Sequence, residues 1–224
     1  MKRNWLSAAA CLLLMMGVFL TIVDFCCFDS NFYAKIYKQE NTAASIGVTD
    51  ETLVDMTNIL LDYLKDKRDN IDGTAVVKGV EREIYDQREK LHMVDVKALY
   101  KKALVVRAVC LIGAVVLFAV VWFQHKKESF GMFRKGYVLA LCIFAGIFGA
   151  LGLFAVVDFD RFWTDFHLLL FDNDLWLLDP ATEIMINMVP SAFFSALVYR
   201  ILILLFATLL IMYLLFRFLE KKAA

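Results

Sequence analysis

The sequence contains few prolines, glycines and histidines and has no excess of either charge. Only 2 of its 224 residues are Pro and 10 are Gly, which excludes a collagen-like, linker-like or disordered composition. Lys plus Arg and Asp plus Glu each number 24, so the formal net charge is +0 and no basic field indicates nucleic-acid binding. Hydrophobic residues make up 61% of the chain, above the roughly 45–50% of soluble domains. The composition therefore predicts a compact helical membrane protein.

Cysteine is present, but not in a disulfide pattern. Three of the five cysteines lie inside apolar runs and two are adjacent: Cys11, Cys110, Cys142, Cys26 and Cys27. An adjacent pair cannot join distant segments, and a thiol in an apolar run behaves as a small hydrophobic group. We therefore predict no disulfide framework.

Four apolar stretches are each long enough to cross a bilayer as a helix, which takes about 20 residues. They are Trp5–Val23, Ala103–Phe123, Tyr137–Val157 and Ala196–Phe216. The first could be a cleaved signal peptide, but Asp24-Phe25-Cys26 after it offers no small-x-small cleavage site. We therefore interpret it as a retained anchor and predict an all-α integral membrane protein with four transmembrane helices.

Basic residues predict the orientation of these spans. Lys2 and Arg3 precede the first span, and further Lys and Arg lie between the second and third spans and after the last. By the positive-inside rule these three flanks are cytoplasmic. The predicted segments are 1–23 (cytoplasmic N-terminus and first span), 24–102 (first extracellular cap segment), 103–123 (second span), 124–136 (cytoplasmic loop), 137–157 (third span), 158–195 (second extracellular cap segment), 196–216 (fourth span) and 217–224 (cytoplasmic tail).

The first outer segment carries two helical patterns. Thr49 is typical of an N-cap, and apolar residues then recur at helical spacing, which predicts a helix over 50–65. Residues 70–73 predict a turn. An amphipathic pattern then predicts a second helix over 81–102 that continues into the second span.

The second outer segment predicts two shorter helices. Apolar and aromatic residues from Phe159 onward recur at helical spacing until Asp172–Asp174, where the helix ends. Asp179 as N-cap with Pro180 at the first helical position predicts another helix, and Pro190 marks the entry to the last span. Together the two outer segments form the predicted extracellular helical cap.

Histidine is the main candidate for chemistry, because the chain has only three. His125 lies in a basic cytoplasmic flank and is typical of a solvated residue. His92 and His167 lie among apolar or aromatic neighbours in the two outer segments, near the predicted membrane surface. Asp95 follows His92 by three residues on one helix face, where its carboxylate can orient the imidazole, although this spacing is common by chance. No His-x-x-x-His or Cys-x-x-Cys pair indicates a metal site, so acid–base chemistry is favoured over metal binding.

Two cations lie inside the predicted spans. Arg107 and Arg200 are each about one turn from the outer end of a span. In one interpretation they extend to lipid headgroups or pair with Asp24 or Asp158; in the other, one of them holds a lipid headgroup or a carbonyl oxygen. The first interpretation is favoured.

No Gly-rich phosphate loop, Gly-x-Ser-x-Gly sequence or kinase motif is present.

Three stretches of the sequence resemble the bacterial lipoprotein intramolecular transacylase family, Lit. They are Glu89–Lys97 around the first histidine, Phe166–Trp176 around the second, and Pro190–Phe194. The four spans and outer cap agree with the family over essentially the whole chain.

This resemblance implies an enzyme of the bacterial plasma membrane, with both termini cytoplasmic and the active site at the outer surface. Its substrates would be diacylglyceryl-modified lipoproteins held in membrane lipid. The sn-2 acyl chain would move to the α-amino group of the N-terminal Cys, with no metal, cofactor or acyl-enzyme. A monomer is favoured. The implied catalytic residues are His92 and His167, the orienting residues Asp95 and Glu89, and the substrate-binding residues Phe166, Phe171, Asn173, Trp176, Trp163, Phe194, Tyr63, Arg107 and Arg200.

Two other functions remain open from the sequence. A membrane lipid hydrolase would use the same histidine pair with water as the nucleophile and release free fatty acid. A non-catalytic protein would bind lipid or a partner through the cap and would tolerate glutamine at both histidines.

Overall fold

The structure is a computed structural model that describes residues 5–223 and is mostly helical. The basic residues Lys2 and Arg3, on which part of the predicted orientation depends, lie outside the described residues. The helices are α1 (Trp5–Cys27), α2 (Ser30–Glu40), α3 (Thr42–Ile46), α4 (Asp50–Leu64), α5 (Gln87–His125), α6 (Ser129–Val157), α7 (Phe159–Leu170), α8 (Met185–Met188) and α9 (Ser191–Ala223). A 3₁₀ turn, Lys126–Glu128, joins α5 to α6, and the strands are β1 (Thr74–Val77) and β2 (Val80–Glu83).

Three helical stretches within residues 5–223 are long and apolar enough to cross a membrane. They are Trp5–Cys27, Gln87–Val157 and Ser191–Ala223. The second stretch contains both α5 and α6. The first four turns of α5, residues 87–102, carry many charged side chains, whereas residues 103–123 carry only Arg107. The apolar part of α5, which is long enough to cross a membrane, therefore begins at about Ala103 and follows a charged first part.

One compact unit comprises the described parts of residues 1–25, 103–157 and 199–224. Tyr137 is fully buried in its core, and the tyrosine hydroxyl donates a hydrogen bond to the carbonyl oxygen of Leu209 at 2.6 Å. Gly136 permits a close approach of α6 to α1, because a Cβ atom there would lie 2.6 Å from the Ser7 side chain. Small residues at such crossings let membrane helices pack backbone against backbone.

The second compact unit comprises residues 26–102 and 158–198. Its helix α4 confirms the predicted helix, since the Thr49 side chain caps it by accepting a hydrogen bond from the Thr52 amide at 3.1 Å. The buried face of α4 includes Met56, whose carbonyl oxygen accepts a hydrogen bond from the fully buried Tyr85 hydroxyl at 2.9 Å. This bond holds the chain before α5 against α4.

The helix predicted over 81–102 is wrong in its first part. Residues 80–83 instead form β2, which pairs antiparallel with β1, and α5 begins only at Gln87. Lys78 and Gly79, with φ angles of 54° and 81°, form the two-residue turn between the strands. Turns with both central residues at positive φ match the twist of paired strands, and the valines on either side favour extended backbone.

The helix predicted to begin at Asp179 is also wrong. Turns occupy this stretch, and only Met185–Met188 is helical before Pro190. The Asp179 amide donates to the Glu183 carboxylate, and the Ala181 amide donates to the Asp179 carboxylate at 2.9 Å. Such local side-chain bonds compete with helical backbone bonds. The last helix, α9, begins directly after Pro190, as predicted.

Candidate active site

A capping box positions the start of α5 and with it His92. The Glu89 amide donates to the Asp86 carboxylate at 2.9 Å, and the Asp86 amide donates to Glu89 Oε2 at 2.7 Å. This reciprocal arrangement satisfies two backbone amides at the helix start. His92 lies three residues after Glu89 and therefore occupies a well-defined position one turn into the helix.

The other oxygen of Glu89 reaches the second outer segment. Glu89 Oε1 accepts a hydrogen bond from the Met185 amide at 2.6 Å, and the side chain is fully buried. Burial raises the pKa of this carboxyl group, while the hydrogen bonds from Met185 and Asp86 oppose the rise. Glu89 thus joins α5 to α8 and orients the backbone rather than bonding to an imidazole.

Helix α7 positions His167 and fixes one of its nitrogens. Asp158 caps the helix, accepting a hydrogen bond from the Arg161 amide at 3.1 Å. His167 Nδ1 lies 2.7 Å from the carbonyl oxygen of Trp163. A carbonyl oxygen can only accept, so Nδ1 carries the hydrogen of the neutral ring and Nε2 presents its lone pair. This tautomer suits a general base.

The two histidines meet as a buried pair. Their ring centroids are 6.2 Å apart, and each residue is only 8% exposed. Burial lowers the pKa of His92 to about 4, with a further lowering from His167 and a smaller opposing effect of Asp95. Burial also lowers the pKa of His167, against the hydrogen bond to Trp163. Both imidazoles are therefore neutral at pH 7.

Aromatic rings surround the histidine pair. Phe171 contacts both imidazoles, with centroids 5.5 Å from His92 and 5.7 Å from His167. Trp163, Phe166 and Trp176 contact His167 at centroid distances of 4.9, 5.5 and 4.9 Å, and Phe194 stacks on Trp163 at 4.1 Å. Four aromatic residues predicted for substrate binding thus contact His167, and a fifth, Phe194, contacts one of those four.

Asp95 has a different partner from the one that its spacing predicts. Its Oδ2 accepts a hydrogen bond from Asn173 Nδ2 at 2.8 Å. His92 Nδ1 is buried and has no hydrogen-bond partner among residues 5–223. The carboxylate of Asp95 therefore acts on His92 only through its charge, and its directed bond goes to the loop after α7.

The sequence interpretation missed two residues near the start of α5. Asp86 forms half of the capping box, which the Asp-x-x-Glu spacing before an apolar helix could have revealed. Arg88 donates a hydrogen bond from Nη2 to the Asp174 carbonyl oxygen. No local sequence pattern indicates that bond, because Arg88 and Asp174 are far apart in the sequence.

No metal cluster is found in the described part of the chain: residues 5–223 hold no group of three or more His, Cys, Asp or Glu side chains arranged around a common point.

A sequence model of the family described as lipoprotein intramolecular transacylase Lit matches residues 8–194. The chain belongs to this family. The resemblance inferred from the histidine motifs is thereby confirmed. A comparison with curated proteins finds no match.

Solved structures of a membrane integral Lit from Bacillus cereus share the fold. One has a TM-score of 0.78 at 20% identity, covering 99% of this chain and 97% of that chain. Two forms of the same protein with a histidine replaced, one by arginine and one by alanine, have TM-scores of 0.76 at 20% identity. They cover 99% of this chain and 93% and 94% of theirs.

Tyr63, also predicted for the Lit site, is buried beneath Lys97. The ammonium of Lys97 lies 4.0 Å from the tyrosine ring centroid and 2.8 Å from the Asp66 carboxylate. These contacts give Tyr63 a packing role within its unit.

The two arginines predicted for the Lit site make contacts within the first compact unit. Arg107 Nη1 lies 2.8 Å from Asp24 Oδ2, the pairing favoured from the sequence. Arg200 lies over the Phe25 ring, 5.7 Å from its centroid.

Proposed function

We propose that this Lit-family chain transfers an acyl chain within diacylglyceryl-modified lipoproteins. The sn-2 fatty acyl group moves from the glyceryl oxygen to the α-amino nitrogen of the N-terminal Cys, giving the N-acyl, S-monoacylglyceryl lyso form. The observation that carries the proposal is the buried pair of imidazoles, His92 and His167, in a chain of this family. Two neutral imidazoles suffice for a reaction that needs one proton removed and one returned.

We assign His167 as the base. The amine nitrogen bonds to the ester carbonyl carbon, and His167 Nε2 takes the proton that the nitrogen loses. The bond from carbon to the glyceryl oxygen then breaks, and the same proton passes from His167 to that oxygen. The hydrogen bond from Nδ1 to Trp163 supports this role, because it leaves Nε2 free to bind a proton and stabilises the resulting imidazolium.

His92 is better suited to stabilise the oxyanion. With its pKa lowered to about 4, this imidazole is in its neutral form at pH 7 and is not an imidazolium acid. A neutral ring still has one N–H group, which can donate a hydrogen bond to the carbonyl oxygen as negative charge develops there. The nearby Asp95 charge opposes the lowering of the His92 pKa.

The aromatic rings support a role in confining the reacting groups and excluding water. The amine and the ester belong to one substrate, so the transfer depends mainly on orientation. Phe171 contacts both histidines, and Trp163 and Trp176 each make a ring contact with His167. Exclusion of water favours transfer to the amine over hydrolysis.

Apolar side chains beside each histidine support a site at the lipid surface. Leu168 and Leu169, next to His167, are 63% and 83% exposed, and Leu91 beside His92 is 43% exposed. Exposed apolar groups at this density are typical of a membrane contact.

We place four spans at the predicted positions, with both termini cytoplasmic and residues 24–102 and 158–195 outside. Single cysteines introduced at Asp69 and Glu128, in a variant whose five native cysteines are replaced, test this: an impermeant thiol reagent should label only the first in intact cells.

The proposed reaction can be tested by mass spectrometry of a reporter lipoprotein. The protein is expressed in a bacterial host that makes only diacyl lipoproteins, and the N-terminal lipopeptide is analysed. We expect lyso-form product with the unchanged sequence and none with His92→Ala or His167→Ala at equal protein level. His125→Ala serves as the matched control and should remain active. Free fatty acid without lyso-form product would favour a hydrolase, and an unchanged diacyl form would favour a binding protein.

A further inference from the structure

The loop after α7 carries Trp176, which covers one face of the proposed base. The indole stacks on the His167 ring with centroids 4.9 Å apart and planes inclined by 26°. The position of this indole depends on Asn173, because Trp176 Nε1 donates a hydrogen bond to the Asn173 carbonyl oxygen at 2.9 Å. Whatever holds Asn173 therefore also holds the ring on His167.

Asn173 uses both ends of its side chain. Its Oδ1 accepts a hydrogen bond from the Leu175 amide at 3.1 Å, which shapes the loop toward Trp176. Its Nδ2 donates to Asp95 Oδ2 at 2.8 Å. Asp95 lies one turn after His92 on α5, so this second bond connects the helix of one histidine to the loop that covers the other.

We infer that Asp95 and Asn173 are positioning residues that hold Trp176 against His167. They thereby keep the two imidazoles in fixed positions relative to each other. This inference rests on the proposed function and deepens it. It differs from both sequence interpretations, in which Asp95 oriented the His92 imidazole and Asn173 bound substrate. Asp95 and Asn173 touch neither imidazole through a hydrogen bond in the described chain.

The bond is suited to positioning rather than to stability. Asn173 is exposed and Asp95 is half-buried, so solvent competes for both groups. Breaking this bond should leave the protein folded but let the loop move. A base displaced by about 1 Å loses up to about a hundredfold in rate.

A reciprocal exchange of the two side chains tests the inference. Asn173→Asp alone leaves two carboxylates facing each other with no donor between them, whereas its combination with Asp95→Asn restores one donor and one acceptor. The carboxylate that Asn173→Asp introduces also keeps an oxygen for the Leu175 amide. With purified protein in lipid nanodiscs and a synthetic diacylglyceryl lipopeptide, we expect Asn173→Asp to lower kcat about ten- to a hundredfold. KM should change little, and the double exchange should recover to within about threefold of the unchanged protein.

Other results would overturn the inference. If Asn173 bound substrate, KM would rise and the exchange would not restore it. Equal activity of Asn173→Asp and the unchanged protein would also contradict positioning. Asp62→Asn, which removes an exposed carboxylate bonded to Lys67 at 3.1 Å, is the matched control and should leave kcat unchanged.

A second readout separates this inference from the proposed function. Quenching of Trp176 emission by acrylamide is measured by difference from the corresponding Trp176→Phe protein. Accessibility should rise in Asn173→Asp and return in the double exchange, even if the unchanged protein converts no lipopeptide and the proposed function fails. Unchanged accessibility in Asn173→Asp would overturn the inference whatever the activity.

Discussion

Replacement of Glu89 by alanine should destabilise the protein more than any exposed carboxylate substitution. Both oxygens of this fully buried side chain accept hydrogen bonds from backbone amides, those of Met185 at 2.6 Å and Asp86 at 2.7 Å. A buried donor left without an acceptor costs about 1–3 kcal/mol, so the loss of two acceptors costs about 4 kcal/mol. For a chain of this size that lowers Tm by about 10 °C. Glu89→Gln keeps one acceptor and should fall between the two.

Thermal unfolding in detergent micelles measures this effect. Glu83→Ala is the matched control, because its carboxylate is exposed and lies 3.2 Å from the Lys90 ammonium. Such surface pairs are worth about 0–1 kcal/mol, so Tm should fall by only a few degrees. A Tm of Glu89→Ala equal to that of Glu83→Ala would refute the view that Glu89 joins the start of α5 to Met185.

Three further predictions concern His92, the Asp24–Arg107 pair and the aromatic rings. Because the pKa of His92 is lowered from 6.5 to about 4, the unfolded chain binds a proton between these pH values that the folded chain does not. Stability should therefore fall as pH falls through that window, and less so in His92→Gln, as Tm against pH will show. Asp24→Ala and Arg107→Ala should be coupled by about 0.5–3 kcal/mol in a double-mutant cycle, and strict additivity would contradict their pairing. Trp163→Ala should slow lipopeptide conversion and release more free fatty acid, whereas an unchanged product ratio would argue against water exclusion.

Local patterns predicted the features that depend on nearby residues. Thr49 lies three residues from the amide that it caps, and the predicted helix at 50–65 is confirmed. Pro190 likewise marks the start of the last helix. The helix prediction was wrong at β2. Lys78 and Gly79, with positive φ angles, form a tight turn that pairs β2 with β1, although the residues that follow the turn have helical spacing.

Features that depend on tertiary contact were beyond the sequence. Asp95 lies three residues from His92, yet its directed hydrogen bond goes to Asn173, 78 positions away. Glu89 likewise reaches Met185 across 96 positions. Spacing along one helix shows which side chains share a face, but not which loop packs against that face. The pairing of His92 with His167 was inferred only from orientation and membrane depth.

Crossover between two labelled substrates tests the central claim most directly. Purified protein is given equal amounts of two diacylglyceryl lipopeptides that differ in peptide mass, one of them deuterated in its sn-2 acyl chain, and the products are read by mass spectrometry. Intramolecular transfer by the histidine pair predicts lyso-form products in which every label stays on its own peptide, and no product from His92→Ala or His167→Ala. Exchange of labels between peptides, or conversion by both histidine variants, would contradict it.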